Sequence, residues 1–477
     1  MNAMGTFVDA DELYYHFSYL SPKNIRRDTL GAMHYSLMEE FQKCLQPFEL
    51  HAKSSTLPLP RRKEAEYFAK LILDASYIVK THIQMMSLYR TLSSPQSNLV
   101  YVELIKFLDK IERQVNTHVT HPELANIKTN INTELFILHK LFLAEAQMTM
   151  NHQFRETIFN IYQSRADLVI WKTRLDREGG KPGQNPHLKI PVYLWLNEFI
   201  NTMLAKMTLI FYKPLWRQER LTGHVDMRAN VSKLELAYPN MIEGFFQKTD
   251  CNFFCLVLEA EGLSGYSPDG YVCPDPTDLE PEQLAGMKLY PILYSIPYID
   301  EVPLPSSSFS SFSTSSSFSS SSTTSSSSSS SGTPSSHQSF SATSVMTPSS
   351  SATVTSSSAS SQAPHPTTAS GPFPFSDTRL LGEHLPSIVV LLEDNAEELA
   401  QFRPRPVCVW FGNERAQHDP GITYYLFKVT PKVTAVCVYK RRIKEGDSTD
   451  THVCEVASAL TAHLRNLRVY SKLIPRE

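Results

Sequence analysis

From Ser306 the chain runs SSSFSSFSTSSSFSSSSTTSSSSSSS, serine broken only by a few phenylalanines and threonines. Low hydrophobicity and almost no charge leave residues 305–378 without the apolar surface needed to offset the entropy of ordering them, so this stretch is expected to be disordered. Whatever folds must therefore be built from the sequence on either side, as two separate domains or as one domain that the tract interrupts. The rest of the 477 residues is long enough for two or three domains of about 100 to 200 residues each.

Charge narrows the range of partners. With 45 basic against 48 acidic residues and a net charge of -3, there is no global attraction to nucleic acid or to an anionic membrane. Seven cysteines, an odd number spread as Cys44, Cys251, Cys255, Cys273, Cys408, Cys437 and Cys454, do not form a disulfide framework and point to a reducing, cytosolic setting. The opening MNAMGTFVDADELYYHF has no basic segment leading into an apolar one, so it does not read as a secretory signal. The most apolar long stretch, Val192 to Tyr212, contains Asn197, Glu198, Asn201 and Lys206, too polar for a helix facing lipid. Membrane attachment is then expected only through partners, and the sequon at Asn230-Val231-Ser232 is a chance match in a cytosolic chain.

The first half repeats apolar residues at helical spacing. From Lys63 to Leu92 they fall at Phe68, Leu71, Ile72, Ala75, Ile78, Val79, Met85 and Met86, one buried face of a long helix. Tyr101 to Val115 continues the pattern, and His121-Pro122-Glu123 then supplies a start signal with proline in the first turn. The next helix carries Leu124, Ile127, Ile131, Leu135, Leu138 and Phe142. A break near Asn151 precedes another, through Phe154, Ile158, Ile161, Leu168 and Trp171, that ends in DREGGKPGQNP. The last begins near Pro191 and runs to about Phe211, and two shorter candidates, Asp11 to Tyr19 and Asn24 to Leu45, come first. Long helices joined by short loops predict an up-and-down bundle over residues 1–225.

The second half reads differently. A short helix after Pro239 leads into Cys251 to Leu258, apolar on both faces as a covered strand should be. It is expected to have no strand partner before the serine tract. Beyond the tract, Ser387 to Leu392 reads as a strand and Asn395 to Phe402 as a short acidic helix. Val407 to Phe411 is a further strand, Ile422 to Val429 and Val433 to Tyr439 form a hairpin around Thr430-Pro431-Lys432, and a closing helix carries Val453, Val456, Leu460, Leu464 and Leu467. The first strand is accommodated only by pairing with strands beyond the tract. Residues 226–304 and 379–477 are therefore expected to form one α+β domain, of order α-β-β-α-β-β-β-α, with 305–378 inserted into it. This order resembles roadblock/longin-type domains, a five-stranded antiparallel sheet with flanking helices; that resemblance concerns fold and not function.

Little in the sequence points to chemistry. Cys251 and Cys255, with Cys273, invite a zinc reading, but four residues on a strand span roughly 13 Å, too far for two thiolates to share an ion at about 2.3 Å each; buried core thiols are the expectation. His118, His121 and Glu123 could be drawn as a metal cluster, yet the helix boundary at Pro122 accounts for them and no fourth ligand is visible. Gly179-Gly180-Lys181-Pro182-Gly183 follows a helix rather than a strand and has Pro182 where a phosphate-binding loop needs Ser or Thr. The basic run Tyr439 to Lys444 reads as a solvated edge, with an acidic partner or lipid headgroup as the alternative. Neither G-x-S-x-G nor H-E-x-x-H is present, and no pair of carboxylates is framed for acid/base work. No catalytic, cofactor-binding or metal-binding residue is assigned, and a non-enzymatic protein is expected.

Several segments resemble the linker-subunit family of the KICSTOR complex. They are Asn185 to Leu188 through Tyr193-Leu194-Trp195-Leu196 to Met203-Leu204-Ala205-Lys206, with Phe211-Tyr212; Ala10 to His16; Thr120-His121-Pro122; and Ala144-Glu145-Ala146-Gln147. In the second half Ser387 to Leu392, Phe427 to Tyr439 and Glu455 to Leu460 match in order. The resemblance covers most of the chain outside the serine tract. It implies a scaffold subunit without a cofactor, on the cytosolic face of the lysosomal membrane. The implied partners are kaptin-like, integrin-FG-GAP-repeat and seizure-threshold-type scaffold subunits and the GATOR complex that stimulates Rag GTP hydrolysis, so that target-of-rapamycin signalling falls when nutrients are scarce. Against that family pattern the chain starts later, as though lacking the first helices, and the serine tract replaces a shorter connection, which adds only slowly to the cost of closing the fold.

A second reading comes from another class: a metabolite- or nucleotide-binding sensor with a pocket in the bundle or between the domains. A hydrolase is the third. Within the tract, Thr333-Pro334 and Thr347-Pro348 are proline-directed phosphorylation candidates, each able to gain nearly two negative charges; a neutral insertion is the simpler expectation.

Overall fold

The computed structural model describes residues 2–15, 26–94, 99–178, 191–213, 215, 237–263, 290–297, 378–403, 405–412 and 421–473. The helices come first: α1 (Asn2–Tyr15), α2 (Arg26–Lys53), α3 (Leu59–Ser93), α4 (Tyr101–His118), α5 (Ala125–Thr149), α6 (Phe154–Glu178) and α7 (Pro191–Ile210). Their starts follow local chemistry. Proline stands in the first turn of α3, where a missing N–H costs nothing and φ is already helical. The α4 to α5 turn is held by Asp74 of α3, whose Oδ2 accepts the backbone N–H of Thr120 at 2.6 Å and of His121 at 2.8 Å. At the α5 to α6 break His152 takes the left-handed conformation (φ 52°), and its burial pushes the imidazole pKa down to about 4.

Sequential helices pack on one another, α2 on α3, α4 on α5, α5 on α6 and α6 on α7. In α7 the apolar face widens until every residue from Thr202 to Ile210 is buried. That central position explains why Val192 to Tyr212 is so apolar, and among the described residues no helix is long and apolar enough to cross a membrane.

The α+β part consists of α8 (Tyr238–Thr249), β1 (Phe253–Leu258), β2 (Ile292–Ile296), α9 (Thr378–Asp394), α10 (Ala396–Ala400), β3 (Val407–Phe411), β4 (Ile422–Thr430), β5 (Val433–Tyr439), α11 (Ser448–Leu464) and α12 (Leu467–Ser471). Its five strands form one sheet in the order β2-β1-β5-β4-β3, with every neighbouring pair antiparallel. Thr430 and Val433 close the β4–β5 hairpin, the Val433 N–H donating to Thr430 Oγ1 at 3.1 Å. Strands β1 and β2 lie before residues 298–377 in sequence and β3 to β5 after them, and β1 pairs with β5 from Phe253 opposite Val438 to Leu258 opposite Val433.

The structure differs from the sequence reading at two elements. Ser387 to Leu392 is not a strand but part of α9: Ile388, Leu391 and Leu392 are buried whereas Val390 is 55% exposed, the spacing of one helical face. A short apolar run cannot be assigned to strand or helix from its composition alone. Second, β1 does have a partner before the tract, since β2 pairs with it from Phe254 opposite Ile296 to Val257 opposite Ile292. Pro291 and Pro297 bracket β2 and hid it, prolines being tolerated at the ends of an edge strand. With α9 and α10 taken together, and α11 and α12 likewise, the element types succeed one another as α-β-β-α-β-β-β-α, with a different second strand.

The sheet's pleat sends alternate side chains into two cores. Phe254, Leu256, Leu258, Ala435, Cys437 and Tyr439 belong to the large core shared with the helices. Phe253, Cys255, Val257, Val436 and Val438 belong to a smaller one closed by Ile388, Leu391, Leu392 and Leu399. Gly421 (φ +67°) shows how tightly the β3 edge is set, because a Cβ there would lie 2.6 Å from the Phe411 carbonyl oxygen. Of the stretch expected to be disordered only Thr378 is described, as the first residue of α9; the rest of it, the 179–183 loop, Asn230, Cys273 and the two Thr-Pro sites lie outside the described residues.

Candidate functional site

The residues singled out for metal chemistry are held apart by packing. His118 stacks on Tyr77 with ring centroids 4.1 Å apart, His121 accepts the Glu123 N–H on Nδ1 at 3.3 Å as a helix cap, and Glu123 accepts the Tyr67 hydroxyl at 3.2 Å. Cys251 lies just before β1 and points into the large core, whereas Cys255 points into the small one on the sheet's other face. Burial raises the Cys255 thiol pKa. Among the described residues no group of three or more His, Cys, Asp or Glu is placed to hold a metal ion. The basic side chains of the run after β5 are exposed, and three of them also touch neighbouring elements: Arg442 lies over the Trp410 ring at 4.3 Å, Arg441 donates to Thr449 Oγ1 at 2.9 Å, and Lys440 Nζ is 3.4 Å from Glu383.

Two buried polar clusters stand out instead. The first fastens α1 to the other helices. Tyr14 Oη donates to Glu134 Oε1 at 2.9 Å and Tyr89 Oη donates to the same oxygen, while His82 stacks on Tyr14 at 4.2 Å and lies 3.4 Å from Asp11. Burial lifts the Glu134 pKa to about 7, against the pull of the two hydroxyls. Burial, with His34 nearby, lowers that of His82.

The second cluster joins the helices to the end of the chain. Lys206 of α7, fully buried, forms an ion pair with Glu145 of α5; burial lowers the Lys206 pKa and the Glu145 charge opposes this. Near the pair, Tyr101 Oη and Tyr470 Oη are 3.1 Å apart and Asn466 Nδ2 donates to Tyr101 Oη at 3.3 Å. Asn466 reaches them because it adopts the left-handed conformation (φ 61°) between α11 and α12, one of the few residue types that does so cheaply. Trp195 Nε1 donates to the Val469 carbonyl at 2.9 Å, and Lys472 pairs with Glu198. The α12 segment is thus clamped on α7 and α4, so the first seven helices and the α+β part are tied by polar contacts as well as by a common core.

Both clusters hold elements of the fold together. Among the described residues, Tyr14, Tyr89 and Glu134, Glu145 and Lys206, and Tyr101 and Tyr470 each pair with a neighbour on another helix. The pocket at one end of the sheet, lined by Val257, Glu259, Tyr290, Glu393, Lys428 and Thr434, measures about 70 Å³, below the about 300 Å³ at which small-molecule sites begin. Lys428 and Glu259 pair across it at 3.1 Å. Neither polar cluster was anticipated from sequence. A lysine in the most apolar helix, Lys206, was the available signal, since a buried cation requires a partner.

The sequence profile of the family described as KICSTOR complex C12orf66 like matches residues 1–306 and 363–477, leaving out part of the serine tract. KICSTOR subunit 2 of Xenopus laevis is 26% identical over 315 residues, 62% of this chain and 67% of the relative. KICSTOR subunit 2 of Danio rerio is 25% identical over 315 residues, 62% of this chain and 66% of the relative. The profile extends over all of the described helices and all five strands, and on that ground the chain belongs to the KICSTOR complex C12orf66 like family.

Proposed function

We propose that the chain is a non-enzymatic scaffold or adaptor subunit of a KICSTOR-like complex, one that recruits the GATOR complex to the lysosome and restrains target-of-rapamycin signalling when nutrients run out. The observation that carries this reading is the family match on both sides of the serine tract, through helices and sheet alike. Polar side chains committed to holding elements together suit a protein that acts by presenting surfaces. Residues 1–225 serve as an up-and-down bundle. Residues 226–304 with 379–477 serve as a roadblock/longin-like domain fastened to it by the α12 clamp, and 305–378 is an insertion in that domain.

The partners in this reading are kaptin-like, integrin-FG-GAP-repeat and seizure-threshold-type subunits and the GATOR complex, with membrane contact only through them. Deleting the gene and following phosphorylation of a target-of-rapamycin substrate through amino-acid withdrawal tests it. Signalling that stays high in starved cells, and falls again when the chain is restored, is expected. A normal fall without the chain contradicts the proposed role.

A further inference from the structure

Helix α6 has a second apolar stripe besides the one that packs inward. Phe154, Ile161, Leu168, Trp171 and Leu175 are buried, whereas Phe159, Tyr162, Val169 and Ile170 are 64%, 53%, 55% and 57% exposed, with Ala166 exposed among them. Positions 159, 162, 166 and 169 alternate steps of three and four residues, so they form one line along the helix about 15 Å long. Isolated apolar residues are ordinary on a surface, but a continuous row of large ones marks a contact site.

We infer that this row is the docking face for an amphipathic helix of a partner subunit whose apolar seam is bordered by carboxylates. The inference rests on the complex-subunit reading above and gives that subunit a specific surface. Steps of three and four are the pattern of a knobs-into-holes seam, and Ala166 leaves a hole between Tyr162 and Ile170 for one large apolar side chain. Charge selects the occupant. The α6 surface bears Arg155, Arg165, Lys172 and Arg174 against Glu156 and Asp167, and Arg165 and Lys172 border the same side of the row, seven residues apart. A partner with Glu or Asp at matching positions complements that border. An antiparallel pair of two copies centred on Ala166 would bring Arg165 against its own counterpart, an unfavourable contact.

The test places the photo-crosslinking residue benzoylphenylalanine at Ala166 of the tagged full-length chain in its native cells. After irradiation, the chain and the proteins that accompany it are purified and the adduct is sequenced. The expected adduct is an amphipathic helix of another subunit with acidic residues beside its apolar seam. Val169→Glu should lower its yield at least tenfold and the double charge reversal Arg165→Glu/Lys172→Glu severalfold, with the melting temperature little changed because Val169 and Arg165 are exposed and Lys172 is only partly buried. If the subunits copurify but the adduct is absent, or joins α6 to a strand, to a second copy or to another segment of this chain, the docking face is overturned and the complex-subunit reading survives. If no subunit copurifies, that reading fails, and the docking face with it.

Discussion

Replacing Glu134 by glutamine isolates the electrostatic cost of burying a carboxyl group where α1, α3 and α5 meet. Burial lifts the Glu134 pKa from its ordinary 4.5 to about 7, so between those values the native state holds a proton that the unfolded chain releases. The stabilising effect of the protonated carboxyl is therefore fully present below pH 4.5 and is lost as the pH rises through 7. At 1.36 kcal/mol per tenfold change in proton affinity, the whole displacement is worth about 3 kcal/mol, of which about 2.5 kcal/mol falls between pH 5 and pH 8. Glutamine keeps a carbonyl oxygen for the Tyr14 and Tyr89 hydroxyls and cannot ionise. Its extra N–H adds an offset that does not depend on pH, and the neighbouring His82, His34 and Asp11 are present in both proteins. Relative to wild type, Glu134→Gln should thus gain about 2.5 kcal/mol of stability from pH 5 to pH 8. Urea unfolding of the full chain, followed by the fluorescence of buried Trp171 and Trp195, gives both values. A difference between the two proteins that is equal at both pH values, within about 0.5 kcal/mol, would refute the reasoning.

Other outcomes follow from the same contacts. Lys206→Met strands the Glu145 carboxylate and should cost about 3–5 kcal/mol, with most of the loss recovered when Glu145→Leu is added; urea midpoints of the two variants decide it. Gly421→Ala forces a Cβ against the Phe411 carbonyl at φ +67° and should destabilise by at least about 1–3 kcal/mol, read as a lowered melting temperature. If Ser387 to Leu392 is helical, Val390→Asp changes stability by no more than about 0.5 kcal/mol while Ile388→Asp unfolds the small core; a strand buried on both faces would make the two equally damaging.

Most of the helical half was legible because its buried faces repeat over many turns, as in Lys63 to Leu92, found within α3 (Leu59–Ser93). Shorter elements carry less signal. Ile292–Ile296 offers only five residues between prolines, and Ser387 to Leu392 lacks the length needed to tell a period of two from one of 3.6. The polar clusters were illegible for another reason, since their partners are joined only by the fold: Tyr14 and Glu134 are 120 positions apart, Glu145 and Lys206 are 61 apart, and Trp195 and Val469 are 274 apart. The exposed row on α6 was in plain sight as a surplus of apolar residues, since Ile158, Ile161, Leu168 and Trp171 already supply an inward face without Phe159, Tyr162 and Val169.

Membership of a multisubunit assembly is tested most directly by purifying the tagged full-length chain from fed and starved cells and identifying by mass spectrometry what accompanies it. Recovery in both states of kaptin-like, integrin-FG-GAP-repeat and seizure-threshold-type subunits is the expected result. A chain that emerges alone from both would contradict the scaffold role.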